Sequence, residues 1–310
     1  MLAGRMPLKE QTNKENQMEN FIVKGHNGLE LFCTKYANVK NPKAVILIVH
    51  GMMEHSGRYV NFAKMLESNG FLVVTSDNRG HGKTMKSKEF FGHGEGDIYG
   101  ETIKDQMQII KYIQENFPSL PIYLFGHSYG SMLSQKLLQI APVDKIILCG
   151  TNYGNNISYV AGKCLAKVFK VFGKDKAPGK LFERMSLDSW GKPFEKGNWL
   201  TRDEAIFDAY KADPFCNGSF PNSFYRSLFS NMTKVNKGIK DIEKHKKILL
   251  IVGDKDPVSS GGKLVKKLHK QYLKHGVDAK LIVYDGARHE LINELNKETV
   301  YKDVLEFYNN

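Results

Sequence analysis

A chain of 310 residues with 41% apolar and 25% charged residues fits one large α/β domain carrying an insertion. The formal net charge of +12 invites a nucleic-acid reading. The lysines are spread along the chain, however, with no RNP-like aromatic motif and no DNA-binding element, so nucleic acid is excluded as a partner. Cys33, Cys149, Cys164 and Cys216 are scattered without a C-x-x-C pair or a histidine at metal spacing, which predicts a reducing compartment and no metal or other cofactor.

Residues 1–20 are polar, lack a secretory apolar core and read as a mobile tail. "FIVKGHNGLELFCTKYA" (21–37) reads as a hairpin turning at Asn27-Gly28. "AVILIVHG" (44–51) is a continuous apolar strand, the pattern of a sheet covered on both faces. A helix over 58–70, a strand over 71–82 and a long helix over 102–117 follow. "PIYLFG" (121–126) is a strand, 131–141 a helix and "KIILCG" (145–150) a strand.

The alternation then stops. Residues 151–239 carry helical fragments without a buried β-run, and strands resume at 247–253 and 279–286, around a lysine-rich helix over 263–275. A final helix closes the chain. The expected architecture is a mostly parallel sheet with helices on both faces, built from 21–150 and 240–310, with 151–239 inserted as a helical cap. No apolar run approaches the roughly 20 residues needed to span a bilayer, and a cytoplasmic location is expected.

"GHSYGS" (126–131) joins a strand directly to a helix, the context a nucleophile elbow requires. Such a turn strains the serine backbone, and glycines two residues to either side keep strand and helix from clashing. Ser128 would then stand clear of the sheet above a helix N-terminus. The alternative is a glycine turn with a capping serine.

A serine hydroxyl needs a base. Among ten histidines, His289 follows the last strand and can reach the same crevice. His269 and His275 sit on the lysine-rich helix and read as solvated, His245 lies at the far end of the sheet, and His127 reads as packing beside the serine. "GDKDPV" (253–258) offers a carboxylate to orient the imidazole; Asp256, stiffened by Pro257, is favoured over Asp254. The chain order Ser128, Asp256, His289 is that of the strand–turn–helix hydrolases.

For the oxyanion the backbone N–H of Tyr129 is one expected donor, and that of Met52 the other, with Met53 as alternative. His50-Gly51 ends the preceding strand. Glu54 and Arg58 could brace this loop as an ion pair or form an ordinary surface pair at helical spacing. His55 could meet a polar head group or make a structural hydrogen bond. "RGHG" (79–82) reads as a tight turn without chemistry.

Five stretches, "VHGMMEHSGRY" (49–59), "DNRGHGKT" (77–84), "GHSYGS", "GDKDPV" and "GARHELINE" (286–294), resemble the monoacylglycerol lipase and lysophospholipase-like branch of the α/β-hydrolases. The resemblance runs from about residue 21 to the C-terminus except the cap. It implies the α/β-hydrolase fold, ester hydrolysis through an acyl-serine intermediate, Ser128, Asp256 and His289 as triad, no cofactor, and a single-chain lipid ester as substrate. The chain departs from many members at "GHSYGS" and at Met52-Met53, differences that bear on pocket shape.

In the cap, lysines 163, 167, 170 and 174 recur on one helical face, with Val160, Cys164, Leu165, Val168, Phe169, Val171 and Phe172 mostly on the other. Such a helix suits transient contact with an anionic lipid surface, or else buries its apolar side on the core. "WLTRDEAIFDAYKADPFC" (199–216) reads as a helix, and the aromatics of 220–232 could line an acyl tunnel or fill the cap. The rival activities are a short-chain carboxylesterase and a proline iminopeptidase, which would draw on Glu183, Asp203, Glu204, Asp208 or Asp213 to hold a free amine. Epoxide hydrolase chemistry is disfavoured by serine at the elbow. A non-catalytic binder on the same scaffold is the reading from another class.

Overall fold

The computed structural model describes residues 18–154 and 157–310. β1 (Met18–Lys24) and β2 (Glu30–Tyr36) pair antiparallel across a one-turn helix in which Asn27 takes a φ of 56°. The strand therefore begins three residues inside the expected tail; the remainder of that tail lies outside the described residues. β3 (Val45–Val49), β4 (Leu72–Ser76), β5 (Ile122–His127), β6 (Lys145–Cys149), β7 (Lys247–Gly253) and β8 (Asp278–Tyr284) complete one sheet in the order β1-β2-β4-β3-β5-β6-β7-β8. Pairing is parallel from β4 through β8 and antiparallel at the β1-β2-β4 edge. This is the expected α/β-hydrolase fold.

The strands read as unbroken apolar runs because alternate side chains serve two cores. Leu47, Val74, Leu124, Leu148 and Leu250 meet α2 (Ile98–Asn116), α3 (Tyr129–Ile140) and α7 (Lys263–Lys274) on one face. Ile46, Val73, Phe125, Ile147 and Leu249 meet α1 (Val60–Ser68) and α8 (Lys297–Asn309) on the other. Leu47 is fully buried, and truncating it to alanine would cost about 2–5 kcal/mol.

β4 ends at Ser76, short of the expected 82, because the Asp77 carboxylate turns away to accept from Ser56 N at 2.8 Å and Lys83 N at 2.6 Å. Gly80 and Gly82 then adopt positive φ, as the tight turn at "RGHG" requires. Between β6 and β7 the described residues add no strand to the sheet. They form α4 (Ile157–Val171), several one-turn helices, α5 (Glu204–Ala212) and α6 (Asn222–Val235). α5 starts later than 199 because the Asp203 carboxylate caps it, accepting from Ala205 N at 3.0 Å and Ile206 N at 3.2 Å. α6 packs against both α4 and α2, which lays this segment over one end of the sheet.

Candidate active site

Ser128 sits between β5 and α3 with φ 50° and ψ −118°, a conformation that strains any residue with a Cβ. The flanking glycines permit it. A Cβ on Gly126 would lie 2.8 Å from the carbonyl of Gly130, and one on Gly130 would strike the carbonyl of Val49. Ser128 N donates to the carbonyl of Cys149 at 2.9 Å, tying the turn to the end of β6.

Asp256 is fully buried in the loop after β7, where its Oδ1 accepts from Val258 N at 2.9 Å. The same oxygen lies 3.0 Å from His289 Nδ1. Because a carboxylate only accepts, Nδ1 carries the proton and Nε2 keeps its lone pair. Nε2 is buried without a hydrogen-bond partner among the described residues, and His289 and Ser128 line one cavity. The Trp199 ring packs 5.3 Å from the imidazole. Asp254 faces Lys255 at 3.3 Å instead and does not reach His289. His269, expected in solvent, is half-buried with Nε2 2.9 Å from the carbonyl of Ala279.

The loop after β3 closes against the elbow: a Cβ on Gly51 would come 3.0 Å from Ser128 Cβ. Gly51 N donates to Glu54 Oε1 at 2.5 Å and so is already engaged. Met52 lines the cavity, and Met53 is held at φ 56°. Tyr129 opens α3, so its N–H belongs to the helical turn whose amides lack intrahelical acceptors. His50 lies beneath the loop, fully buried; its Nδ1 is 2.7 Å from the carbonyl of Gly51 and its Nε2 accepts from Asn78 N at 2.8 Å. It does not line the cavity.

Glu54 and Arg58 do not form the surface pair their spacing allows. Their side chains are 4% and 10% exposed, and Arg58 Nη1 lies 3.1 Å from Glu54 Oε2. Glu54 Oε1 also accepts from Tyr59 Oη and from His127 Nδ1, each at 2.9 Å. Arg58 reaches across to Glu290, the neighbour of His289, with contacts of 2.5 and 2.8 Å. Burial alone would raise the Glu54 carboxyl, but His127 and then Arg58 hold it well below the usual range. Burial alone would lower His127; Glu54 outweighs it and raises the imidazole. One network thus joins the loop after β3, the elbow and the histidine loop. His55 is outside it, with Nε2 2.9 Å from Asp213 Oδ2.

Sequence reading missed Glu290, Tyr59 and Trp199. Nothing local marks them; only Arg58, a buried cation needing two carboxylates, would have pointed to Glu290.

The cavity holds about 670 Å³, and its walls include Met132, Leu165, Phe182, Trp190, Tyr225 and Phe229. Among the described residues no lysine or arginine lines it, and the acidic side chains on its wall are Glu54 and Glu290. The acids considered for an amine site are engaged elsewhere. Glu183 accepts from Ser219 Oγ and Phe220 N, Asp203 caps α5, Glu204 pairs with Lys196, Asp208 with Lys211 and Asp213 with His55.

An elbow serine, a histidine and a carboxylate at the strand ends of a mostly parallel sheet define a hydrolase of the α/β-hydrolase class. The family described as "Serine aminopeptidase, S33" matches residues 40–296, and the chain belongs to it. The chain is 27% identical over 288 residues to a monoacylglycerol lipase of Mycolicibacterium smegmatis, covering 90% of this chain and 93% of that one. It is 26% identical over 284 residues to a monoglyceride lipase of Homo sapiens, covering 88% and 84%. A thermostable carboxyl esterase from Bacillus coagulans, solved in complex with glycerol, superposes with a TM-score of 0.85 at 26% identity, covering 94% of this chain and 98% of that one.

Proposed function

We propose that the protein hydrolyses carboxylic esters of single-chain lipids with a neutral head group, of the monoacylglycerol type. Ser128 Oγ attacks the ester carbonyl while His289 Nε2 takes its proton, and Asp256 holds the imidazole and stabilises its cation. The backbone N–H groups of Tyr129 and Met52 receive the oxyanion, each worth about 3 kcal/mol of barrier. His289 then protonates the leaving alkoxide, and water, activated by the same histidine, releases the acid.

The observation that carries this reading is the cavity's lining: mainly apolar, with Ser128 and His289 on its wall and, among the described residues, no lysine or arginine to receive a phosphate. Glu54 and Glu290 would repel a phosphodiester head, and both are already held by Arg58, so neither offers itself to a substrate amine. A neutral head bearing hydroxyls meets neither obstacle. Lysophospholipid and proline-amide substrates are disfavoured on the same ground. Residues 151–239 act as the cap that closes over the acyl chain.

The cap also offers a surface to lipid. Tyr159 and Ala166 of α4 face inward, with Leu165 and Phe169 half-buried beside them. Val160, Val168, Val171 and Phe172 face outward, exposed by 46%, 49%, 82% and 73%, beside exposed Lys167, Lys170 and Lys174. An exposed apolar stripe edged by lysines suits a bilayer carrying anionic lipid.

The test is hydrolysis of a palmitoyl monoacylglycerol, a lysophosphatidylcholine, a p-nitrophenyl butyrate and a proline amide, with Ser128→Ala as the blank. Strong preference for the monoacylglycerol is the expected result. Preference for the lysophospholipid or the amide would overturn the substrate class, and equal inertness of wild type and Ser128→Ala on all four would overturn the mechanism.

A further inference from the structure

Away from the triad, the fold brings together three side chains that bind metals. His55 comes from the loop after β3, Asp213 from the end of α5, and Cys216 lies three residues further on. One ligand atom from each lies within 4.8 Å of the others. Cys216 is buried, while His55 and Asp213 are 18% and 26% exposed, so an ion has both a floor and an entrance. Sequence spacing hides this set because it joins residue 55 to residues 213 and 216 only through the fold.

We propose that His55, Asp213 and Cys216 form a binding site for Zn²⁺ or a cation of like preference. The donor set is one imidazole nitrogen, one carboxylate oxygen and one sulfur, which selects a borderline divalent ion over calcium or magnesium. Tetrahedral zinc with bonds of 2.0–2.3 Å holds its donors roughly 3.5 Å apart. The widest separation must therefore close by about 1 Å, a side-chain adjustment at a half-exposed aspartate and histidine. The ion's charge equals that of the carboxylate and thiolate combined, and the fourth position is left to water.

Burial, more than any neighbour, raises the Cys216 thiol above its usual range, with Arg58 pulling the other way. The free site therefore holds a thiol, and metal binding releases its proton to solvent. The His55 proton moves from Nε2 to Nδ1, and Nδ1 gives up the 3.2 Å bond it accepts from Gly57 N. Asp213 stays anchored through Oδ1, which accepts from Phe215 N at 2.8 Å. Bound metal would fasten the loop bearing Met52 and Met53 to the segment covering the cavity.

The experiment is a Co²⁺ titration of the chelator-treated full chain carrying Cys164→Ser, which removes the exposed thiol, followed by Zn²⁺ competition. Absorbance is read at the sulfur-to-cobalt charge-transfer band, a signal independent of any hydrolysis. One equivalent of Co²⁺ displaced by Zn²⁺, no band in Cys216→Ser, and affinity at least about tenfold weaker in Asp213→Asn and His55→Gln are expected. Absence of the band, or its survival in Cys216→Ser, overturns the proposal. Should Cys216→Ser fail to fold by circular dichroism, His55→Gln decides, and unchanged affinity in that variant overturns it equally.

Discussion

Arg58 grips Glu290 with both terminal nitrogens, at 2.5 and 2.8 Å, one residue away from the imidazole of His289. The same Nη1 lies 3.1 Å from Glu54, whose other oxygen accepts from Gly51 N. The loop after β3 and the loop bearing His289 are therefore set against each other by one guanidinium. Removing it leaves Glu290 buried without its cation and Glu54 with His127 alone, and breaking a buried pair from one side costs about 3–5 kcal/mol. Arg58→Ala is expected to lower thermal stability by that order and kcat more than KM. Calorimetry with steady-state kinetics checks this; a variant as stable and active as wild type would remove the network from the account.

Asp256→Asn is expected to fold normally and to lose about 10³- to 10⁴-fold in kcat. The new amide can donate to Nδ1, which fixes the proton on Nε2, where the base must be free. A loss below tenfold would reassign the orienting role.

The His127–Glu54 pair makes stability depend on pH with a definite sign. His127 is raised above 6.5, so its contribution is full below that pH and lost as pH climbs through the folded value. Glu54 is held below 4.5, so its contribution is present above that pH and lost as pH falls through the depressed value. Melting temperature should decline on the alkaline side in wild type and flatten there in His127→Gln. Parallel profiles above pH 6.5 would show that the pair does not titrate as described.

Gly162 lies on α4 at the cavity wall, where an added Cβ would come 2.6 Å from the Phe229 ring. A larger side chain must displace that ring or enter the cavity. Gly162→Leu should reduce kcat/KM for a palmitoyl ester by about tenfold or more while sparing a butyryl ester. Equal loss on both would point to a damaged cap rather than a shortened tunnel.

Binding to vesicles gives a separate check on α4. Val171→Glu with Phe172→Glu should abolish co-sedimentation with phosphatidylserine-containing vesicles while leaving hydrolysis of p-nitrophenyl butyrate in solution unchanged. Undiminished binding would remove α4 from the contact.

The sheet and the region of the elbow were legible because their signals are local: apolar runs of strand length, and glycines placed where a serine turn needs them. The positions of Asp256 and His289 followed from strand order, since loops at one edge of a parallel sheet converge. The partners of Arg58 were not legible, because a spacing of four residues fits a solvated helix pair as well as a buried one, and Glu290 lies 232 residues away. α4 left two readings open for a different reason. Its lysines and aliphatics separate on a helical wheel, yet the core takes Tyr159 and Ala166 and leaves Val160, Val168 and Val171 outside. Periodicity gives an angle between faces but not which one the rest of the chain covers.

The fastening through Glu54, Arg58 and Glu290 also constrains how the sequence can drift. Losing Arg58 strands the buried Glu290, and losing either carboxylate leaves Arg58 with one partner in place of two, whereas replacing all three by apolar groups of similar volume can be neutral or favourable for folding. The three positions are therefore energetically coupled, and a change at one is felt at the other two. A redesign of this corner would have to exchange the set together, whereas side chains outside it can be altered one at a time.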